Sequence, residues 1–471
     1  MTSPRISLAF HGTAIHSSSV SSIEILENTL ITVDQQGKIT NCIRPISAHE
    51  VPSTLAHLDP SFPAPSVRYI TFPSFLIPGF VDTHNHAPQY LQRGLGQGMH
   101  ILDWLSAMTF PNEARFADPV YAQRLYARAV SAFLKQGITC ASYYSSLHGP
   151  ATRHLAEACL AQGQRALVGK CNMDRNSPPT YIEPSVEASL AETKACIEHI
   201  RHIDPIGSMV RPVLTPRFAI SCTAPLLSGL GDLATSDPSL AIQTHFNEAQ
   251  QEVDATLSLF PEFSTEAQLY EHFNLLGPRT ILAHCTVMSP DDGTGEMATL
   301  KRLECGIAHC PIANTSVGGG FMAAPIRTFL DKGIKVGLGT DSGGGWSSSI
   351  LDAIRMAIVV SNAREVQSGG VEKALSPDEV FYLATLGGAR VVGLGDTVGK
   401  FEVGREFDAL IVRPNEVLSK EGEVVSEANG VMTPVETDES WRSIWEKFLV
   451  SGDDRNIVEV FVKGRCVKAS T

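Results

Sequence analysis

Five residues of kinds that bind a metal ion stand at the ends of apolar runs of strand length. The run Pro78-Gly79-Phe80-Val81-Asp82-Thr83-His84-Asn85-His86 ends in two histidines one residue apart. Alternate side chains of a strand share a face, so His84 and His86 project the same way and can reach one ion. Two histidines at that spacing also occur in ordinary loops, so the pair alone decides nothing. Three later runs decide it: Ala241-Ile242-Gln243-Thr244-His245, Thr280-Ile281-Leu282-Ala283-His284 and Lys335-Val336-Gly337-Leu338-Gly339-Thr340-Asp341. Four imidazoles and a carboxylate at strand ends form a hydrolytic donor set. Zn²⁺ favours nitrogen and oxygen ligands, and three histidines with one carboxylate leave a place for a water whose pKa falls towards ~7.

Positioning such a set requires strands whose ends converge. From residue 75 onward, apolar runs alternate with segments of helical periodicity, the mark of repeated βα units. Eight runs are counted: 75–84, 137–145, 165–173, 210–218, 240–247, 280–285, 306–311 and 335–341. Helix-like segments lie between them, among them Asp118 to Lys135, Ser185 to Ile203, Ser289 to Leu303 and Ser349 to Glu365. Eight strands, each followed by a helix, predict a (β/α)8 TIM barrel, in which catalytic groups sit at the C-terminal strand ends. His84/His86, His245, His284 and Asp341 fall there, on strands one, five, six and eight. His309, in the seventh run, reads as a hydrogen-bonded structural residue rather than a further ligand.

The flanks are β-rich. Leu30 to Val33 leads through Asp34-Gln35-Gln36-Gly37 into Lys38-Ile39 as a hairpin, and Pro60 to Pro65 reads as a linker. Late in the chain Phe407 to Val412 is a strand, and Ile457 to Val462 with Arg465 to Val467 forms a second hairpin. Neither end is long enough for its own core. Residues 1–74 and 395–471 are therefore expected to pair into one small, discontinuous β-sandwich domain beside the barrel of residues 75–394.

The chain has 471 residues, of which 43% are hydrophobic and 18% charged, with a net charge of −13 and no Lys/Arg cluster. That balance argues against nucleic acid and anionic membranes as partners. The opening Met1-Thr2-Ser3-Pro4-Arg5 lacks a secretory pattern, and no window approaches a membrane span, so a soluble cytoplasmic protein is expected. Ten scattered cysteines without paired spacing read as reduced and mostly buried. No G-x-S-x-G elbow, Walker loop or Pro-Cys-x-x-Cys pattern is present. Gly94 to Gly98 and Gly343-Gly344-Gly345 read as flexible loops near the barrel mouth.

Over nearly all of residues 70 to 467 the chain resembles the guanine deaminases of the amidohydrolase superfamily. The motifs are Pro78 to Gln89, Thr109-Phe110-Pro111, Thr215-Pro216-Arg217-Phe218, His245 to Glu248, Gly337 to Asp341 and Gly452-Asp453-Asp454-Arg455-Asn456-Ile457. The opening and strand-eight motifs are superfamily-wide, whereas Thr-Pro-Arg-Phe and the late segment are narrower. The resemblance implies one zinc ion per chain, a purine base as substrate, and a cytosolic homodimer. It places the metal ligands on His84, His86, His245 and Asp341, with His284 near the catalytic water and Asp341 also taking a proton from it. It places Glu248 as proton shuttle, by analogy with other zinc deaminases not a ligand. Gln89, Arg217 and Phe218 are expected to contact the purine, together with His86, His245, Glu248 and Asp341. Arg217 is an obligate donor suited to a carbonyl and ring-nitrogen edge, and its alternative reading is a barrel-mouth salt bridge. One departure is Ala313, where a hydroxyl residue is frequent. Three other readings remain: a deaminase of an 8-oxopurine, pterin, triazine or adenosine-type substrate; a two-metal cyclic amidohydrolase bridged by carboxylated Lys170; and an inactive scaffold.

Overall fold

The structure, a computed structural model, describes residues 5–289, 292–316, 322–428 and 430–469. Eight parallel strands follow one another around a single sheet in chain order: Phe80–His86, Ile138–Tyr144, Arg165–Gly169, Val210–Pro216, Ala241–Phe246, Thr280–His284, Gly306–His309 and Lys335–Leu338. The eighth strand returns to the first. Thr83 Oγ1 donates to the Leu338 carbonyl at 2.8 Å, and the Asp341 amide donates to the His84 carbonyl at 2.9 Å. This is the expected (β/α)8 barrel. Parallel register carries every strand end to the same rim, as where His245 stands opposite Ala283 and Phe246 opposite His284.

The helices outside the barrel form where periodicity and caps agree. Pro119–Lys135 starts at Asp118, whose carboxylate accepts from the Val120 and Tyr121 amides, and it buries Ala122, Leu125, Tyr126, Ala129, Val130 and Phe133 along one face. Val186–Ile203 is capped by Ser185, which accepts from the Ala188 amide. The expected Ser289 to Leu303 segment yields a helix only over Glu296–Arg302, and its residues 290 and 291 lie outside the described residues, as do residues 1–4 of the opening segment.

The first expected run is two strands. Phe75–Pro78 belongs to a sheet of the chain ends, and the barrel's first strand begins at Phe80. Gly79 is the hinge: a Cβ there would lie 2.2 Å from Thr139 Oγ1 on the neighbouring strand. In the chain-end sheet the order is Arg465–Ala469, Ile457–Val462, Ala409–Val412, Phe75–Pro78, Ile6–Ser19, Ser22–Asp34 and Ile39–Ile43. Both ends thus share one sheet, and Phe10 stacks on Phe407 and meets Phe461 edge-on in its core, with ring centroids 4.9 and 5.3 Å apart. Buried Arg165, at the start of the third barrel strand, ties the two parts together through Asp408 at 2.7 Å and Glu406 at 2.5 Å. The joint lies at the barrel's N-terminal end, away from the rim that carries the histidines. All ten cysteines are free, eight of them buried, and no helix among the described residues is long and apolar enough to cross a membrane.

Candidate active site

At the C-terminal rim the five expected donors come together. His84 Nε2 lies 3.2 Å and His86 Nε2 3.4 Å from the same oxygen, Asp341 Oδ1, and His86 Nε2 lies 3.1 Å from His245 Nε2. Ligands at about 2.0–2.1 Å from one tetrahedral ion stand roughly 3.3 Å apart, so these separations fit a shared cation. The His245 ring donates from Nδ1 to the Arg217 carbonyl at 2.6 Å, which leaves a lone pair on Nε2. His284 Nδ1 is held by Asn314 Oδ1 at 2.8 Å, turning Nε2 inward to 3.7 Å from Glu248 Oε1. His84 Nε2 and His284 Nε2 are buried and have no hydrogen-bond partner. Unpartnered buried donors around one point are the chemistry of a metal site.

Burial, and the mutual repulsion of nearby cations, lowers the pKa of His84, His86 and His245 well below the usual imidazole range; burial lowers His284 too. Neutral rings are the form that ligates. The backbone leaves the strands in left-handed conformations at His284 (φ 76°) and Asp341 (φ 45°), and such backbone persists where the surroundings impose it. Asp82 imposes it on one side. Its buried carboxylate accepts from the Thr340 amide and hydroxyl at 2.9 and 2.6 Å and from Asn85 Nδ2 at 2.8 Å, locking the first strand end to the segment before Asp341.

A cavity of about 370 Å³ opens beside the cluster, lined by His86, Gln89, Arg217, Phe218, His245, Glu248 and Asp341 on its polar side and by Ile101, Trp104 and Leu105 on its apolar side. Every expected substrate contact therefore borders one cavity. Glu248 is buried there, and burial followed by the charge of Asp341 pushes its carboxyl up to about 8. Arg217 makes the salt bridge of its alternative reading and also borders the cavity. Its Nη1 donates to Glu113 Oε2 at 2.8 Å with both groups almost wholly buried. Gln89 Nε2 donates to the other oxygen of Glu113 at 2.8 Å.

Other expectations are corrected. Gly343 and Gly344 are packed, not loose: at Gly343 φ is +124° and a Cβ would lie 2.1 Å from Gln89 Oε1, so glycine is required for this close approach. Lys170 is buried in an ion pair with Glu183 at 2.5 Å and joins neither of the possible metal groups among the described residues. His309 is buried off the cluster, beside a second cavity of about 270 Å³, and its Nδ1 lacks the hydrogen bond expected of it. Ala313 is buried on the helix Pro311–Ser316, next to Asn314. Glu113, Asn314 and the apolar wall were not singled out from sequence. Glu113 stands one turn after Phe110 in Phe110–Ala114, so a carboxylate sharing a face with a buried phenylalanine was the available signal.

Residues 75–467 match the family described as "Amidohydrolase family". A probable guanine deaminase of Schizosaccharomyces pombe is 39% identical over 458 residues, covering 97% of this chain and 83% of that protein. A guanine deaminase of Dictyostelium discoideum is 37% identical over 473 residues, covering 99% of this chain and 100% of that protein. Among solved structures, the guanine deaminase from C. acetobutylicum with bound guanine in the active site superposes with a TM-score of 0.83 at 30% identity, covering 98% of this chain and 99% of that one.

Proposed function

The chain belongs to the amidohydrolase family, and from that premise we propose that its reaction is the hydrolysis of guanine to xanthine and ammonia. The observation that carries the proposal is the single cavity on which the metal-type cluster, the buried Glu248 and the Gln89/Arg217 pair converge. His84, His86, His245 and Asp341 would hold one ion, zinc by the nitrogen-rich donor set. When bound, zinc supplies Lewis acidity that makes a water nucleophilic near neutral pH.

The chain's own residues do the rest. Arg217 donates to the purine carbonyl and Gln89 pairs with the ring edge, while Phe218, Trp104 and Leu105 cover the ring and exclude bulk water. The water oxygen bonds to the carbon bearing the amine. Glu248 takes a proton from that water and gives it to the adjacent ring nitrogen, a role suited to a buried carboxyl raised above the ordinary range beside the cluster. Asp341 takes the second proton from the added hydroxyl and passes it to the exocyclic amine, the carbon–nitrogen bond breaks, and the protonated amine leaves as ammonia. His284, neutral and fixed by Asn314, keeps an acceptor aimed at the water. The Lys170–Glu183 pair favours one metal over a carboxylated-lysine bridge.

Because Phe75–Pro78 pairs within the chain-end sheet, residues 1–78 and 395–471 are assigned to the companion domain and 79–394 to the catalytic barrel, with a cytosolic homodimer as the working assembly. Ammonia release from a panel of guanine, other aminopurines, pterins and triazines tests the substrate. Guanine is expected to show the highest kcat/KM, and a faster pterin or triazine overturns the assignment.

A further inference from the structure

We propose that Glu113 is a positioning residue that sets the recognition pattern of the cavity. It turns Gln89 so that only the amide oxygen faces the substrate, it leaves Arg217 presenting only N–H groups, and it offsets the arginine charge. The inference rests on the guanine-deaminating reading and names how that site selects its ligand.

Glu113 is 0% exposed and lies between three side chains. Oε1 accepts from Gln89 Nε2 at 2.8 Å; Oε2 accepts from Arg217 Nη1 at 2.8 Å and from the Tyr181 hydroxyl at 2.5 Å. A carboxylate only accepts, so the amide nitrogen of Gln89 must turn towards it and the amide oxygen away. That oxygen stands against Gly343, where any Cβ would collide with it, and its one neighbouring donor, Gln92 Nε2, is 3.5 Å away and already committed to Thr109 at 2.9 Å. On Arg217, Nη1 is taken, and among the described residues no hydrogen bond is made by Nη2 or Nε. The wall therefore offers an acceptor at Gln89 and donors at Arg217.

A ring edge with an N–H beside a carbonyl, as in a lactam, complements that order. An edge with an amine in place of that carbonyl and a bare nitrogen in place of that N–H sets donor against donor at Arg217 and acceptor against acceptor at Gln89, and unpaired buried polar groups are strongly rejected. Charge adds a second filter. The Arg217–Glu113 pair is buried and sums to zero, so an anionic lactam gains no free cation there to offset its desolvation.

The test uses metal-loaded wild type, Glu113→Gln and Glu113→Asp, with guanine turnover followed by ammonia release. Absence of guanine turnover in the wild type defeats the assigned reaction, a failure distinct from those that follow. In E113Q, kcat/KM for guanine is expected to fall roughly ten- to a hundredfold, with the larger share in KM and metal content unchanged. Inhibition by xanthine, which ionises near neutral pH, is compared with that by hypoxanthine, which ionises higher, at pH values below and above the xanthine ionisation. The ratio of the two within one protein cancels the protein's own titrations. In E113Q the ratio should move in favour of ionised xanthine by about tenfold or more, the effect of one neighbouring charge, while E113D loses activity but keeps the wild-type ratio. An unchanged ratio in E113Q, or an equal shift in E113D, overturns the proposal. If E113Q does not accumulate as folded protein, Gln89→Glu carries the test. It sets a second carboxylate against Glu113 and should lower guanine kcat/KM by the same order at full metal content; near-wild-type turnover refutes the orientation of Gln89.

Discussion

Replacing Arg217 with methionine keeps most of the side-chain volume while removing every donor, and the structure assigns it two separable costs. The first is in catalysis. A charged hydrogen bond to a buried ligand is worth about 1.5–3 kcal/mol, so kcat/KM for guanine should fall roughly ten- to a hundred-and-fifty-fold. The second is in stability. An arginine serving only the substrate would leave little behind on removal, but Arg217 is 2% exposed and ion-paired to a Glu113 that is 0% exposed. Stranding one member of such a pair costs about 3–5 kcal/mol. Both groups are fully buried, so solvent screening does not reduce that figure. Denaturant unfolding of metal-loaded wild type, Arg217→Met and Arg217→Met/Glu113→Gln, alongside kcat/KM, separates the two. The double variant should regain most of the stability, because no charge is stranded, yet stay as poor a catalyst as the single one. A single variant as stable as wild type, or a double variant no more stable than the single, would refute the reasoning from the buried pair.

Glu248→Gln keeps the shape of the side chain but cannot carry a proton, so kcat should fall by ~10²–10⁴-fold while zinc per chain stays unchanged; loss of metal would show a ligand instead. His245→Ala should lower both metal content and rate. Chelation should abolish turnover and lower the unfolding midpoint, and zinc should restore both, because one ion bound to the native state joins three strands; full activity after thorough metal removal defeats the metal assignment. Glu252 is buried against Glu266, and burial followed by that neighbouring charge raises its pKa well above the carboxylate range. A folded-state pKa raised above the unfolded value gives stability that is present below the ordinary carboxylate pKa and lost as pH rises through the folded value. The unfolding midpoint should therefore fall as pH is raised above the carboxylate range, and less steeply in Glu252→Gln; identical slopes would show that Glu252 does not titrate there.

Sequence reading recovered the barrel because its signals are local and repeated. Each strand is a short apolar run, and each rim position is marked by a histidine or aspartate that ends one. Boundaries were less legible where one apolar run serves two sheets. Phe75–Pro78 and Phe80–His86 are continuous in hydrophobicity, and only the clash that a side chain at Gly79 would make with Thr139 separates them. The glycines at 343 and 344 were misjudged for a related reason. Glycine composition is the same whether a loop is loose or must pass close to another side chain, and the partner at 343, Gln89, is more than 250 residues away in sequence.

The polar residues that sequence did not single out share a physical property: they reach the cavity wall or the histidine–aspartate cluster through another side chain. Glu113 orients Gln89 and Arg217, Asn314 fixes the ring of His284, and Asp82 fastens Thr340 beside Asp341. Each is a buried polar group whose partners come from a distant part of the chain, and nothing in its neighbours' periodicity records that pairing. A histidine at a strand end declares its chemistry by type and position. A glutamate on the short helix Phe110–Ala114 does not, because its role appears only when Phe80–His86, Val210–Pro216 and the segment around Tyr181 are brought to one wall. Recognition in this site is therefore set by long-range hydrogen bonds, and Arg217 is informative because it belongs to both levels, recognisable as a donor from its motif and dependent on Glu113 for the direction in which it donates.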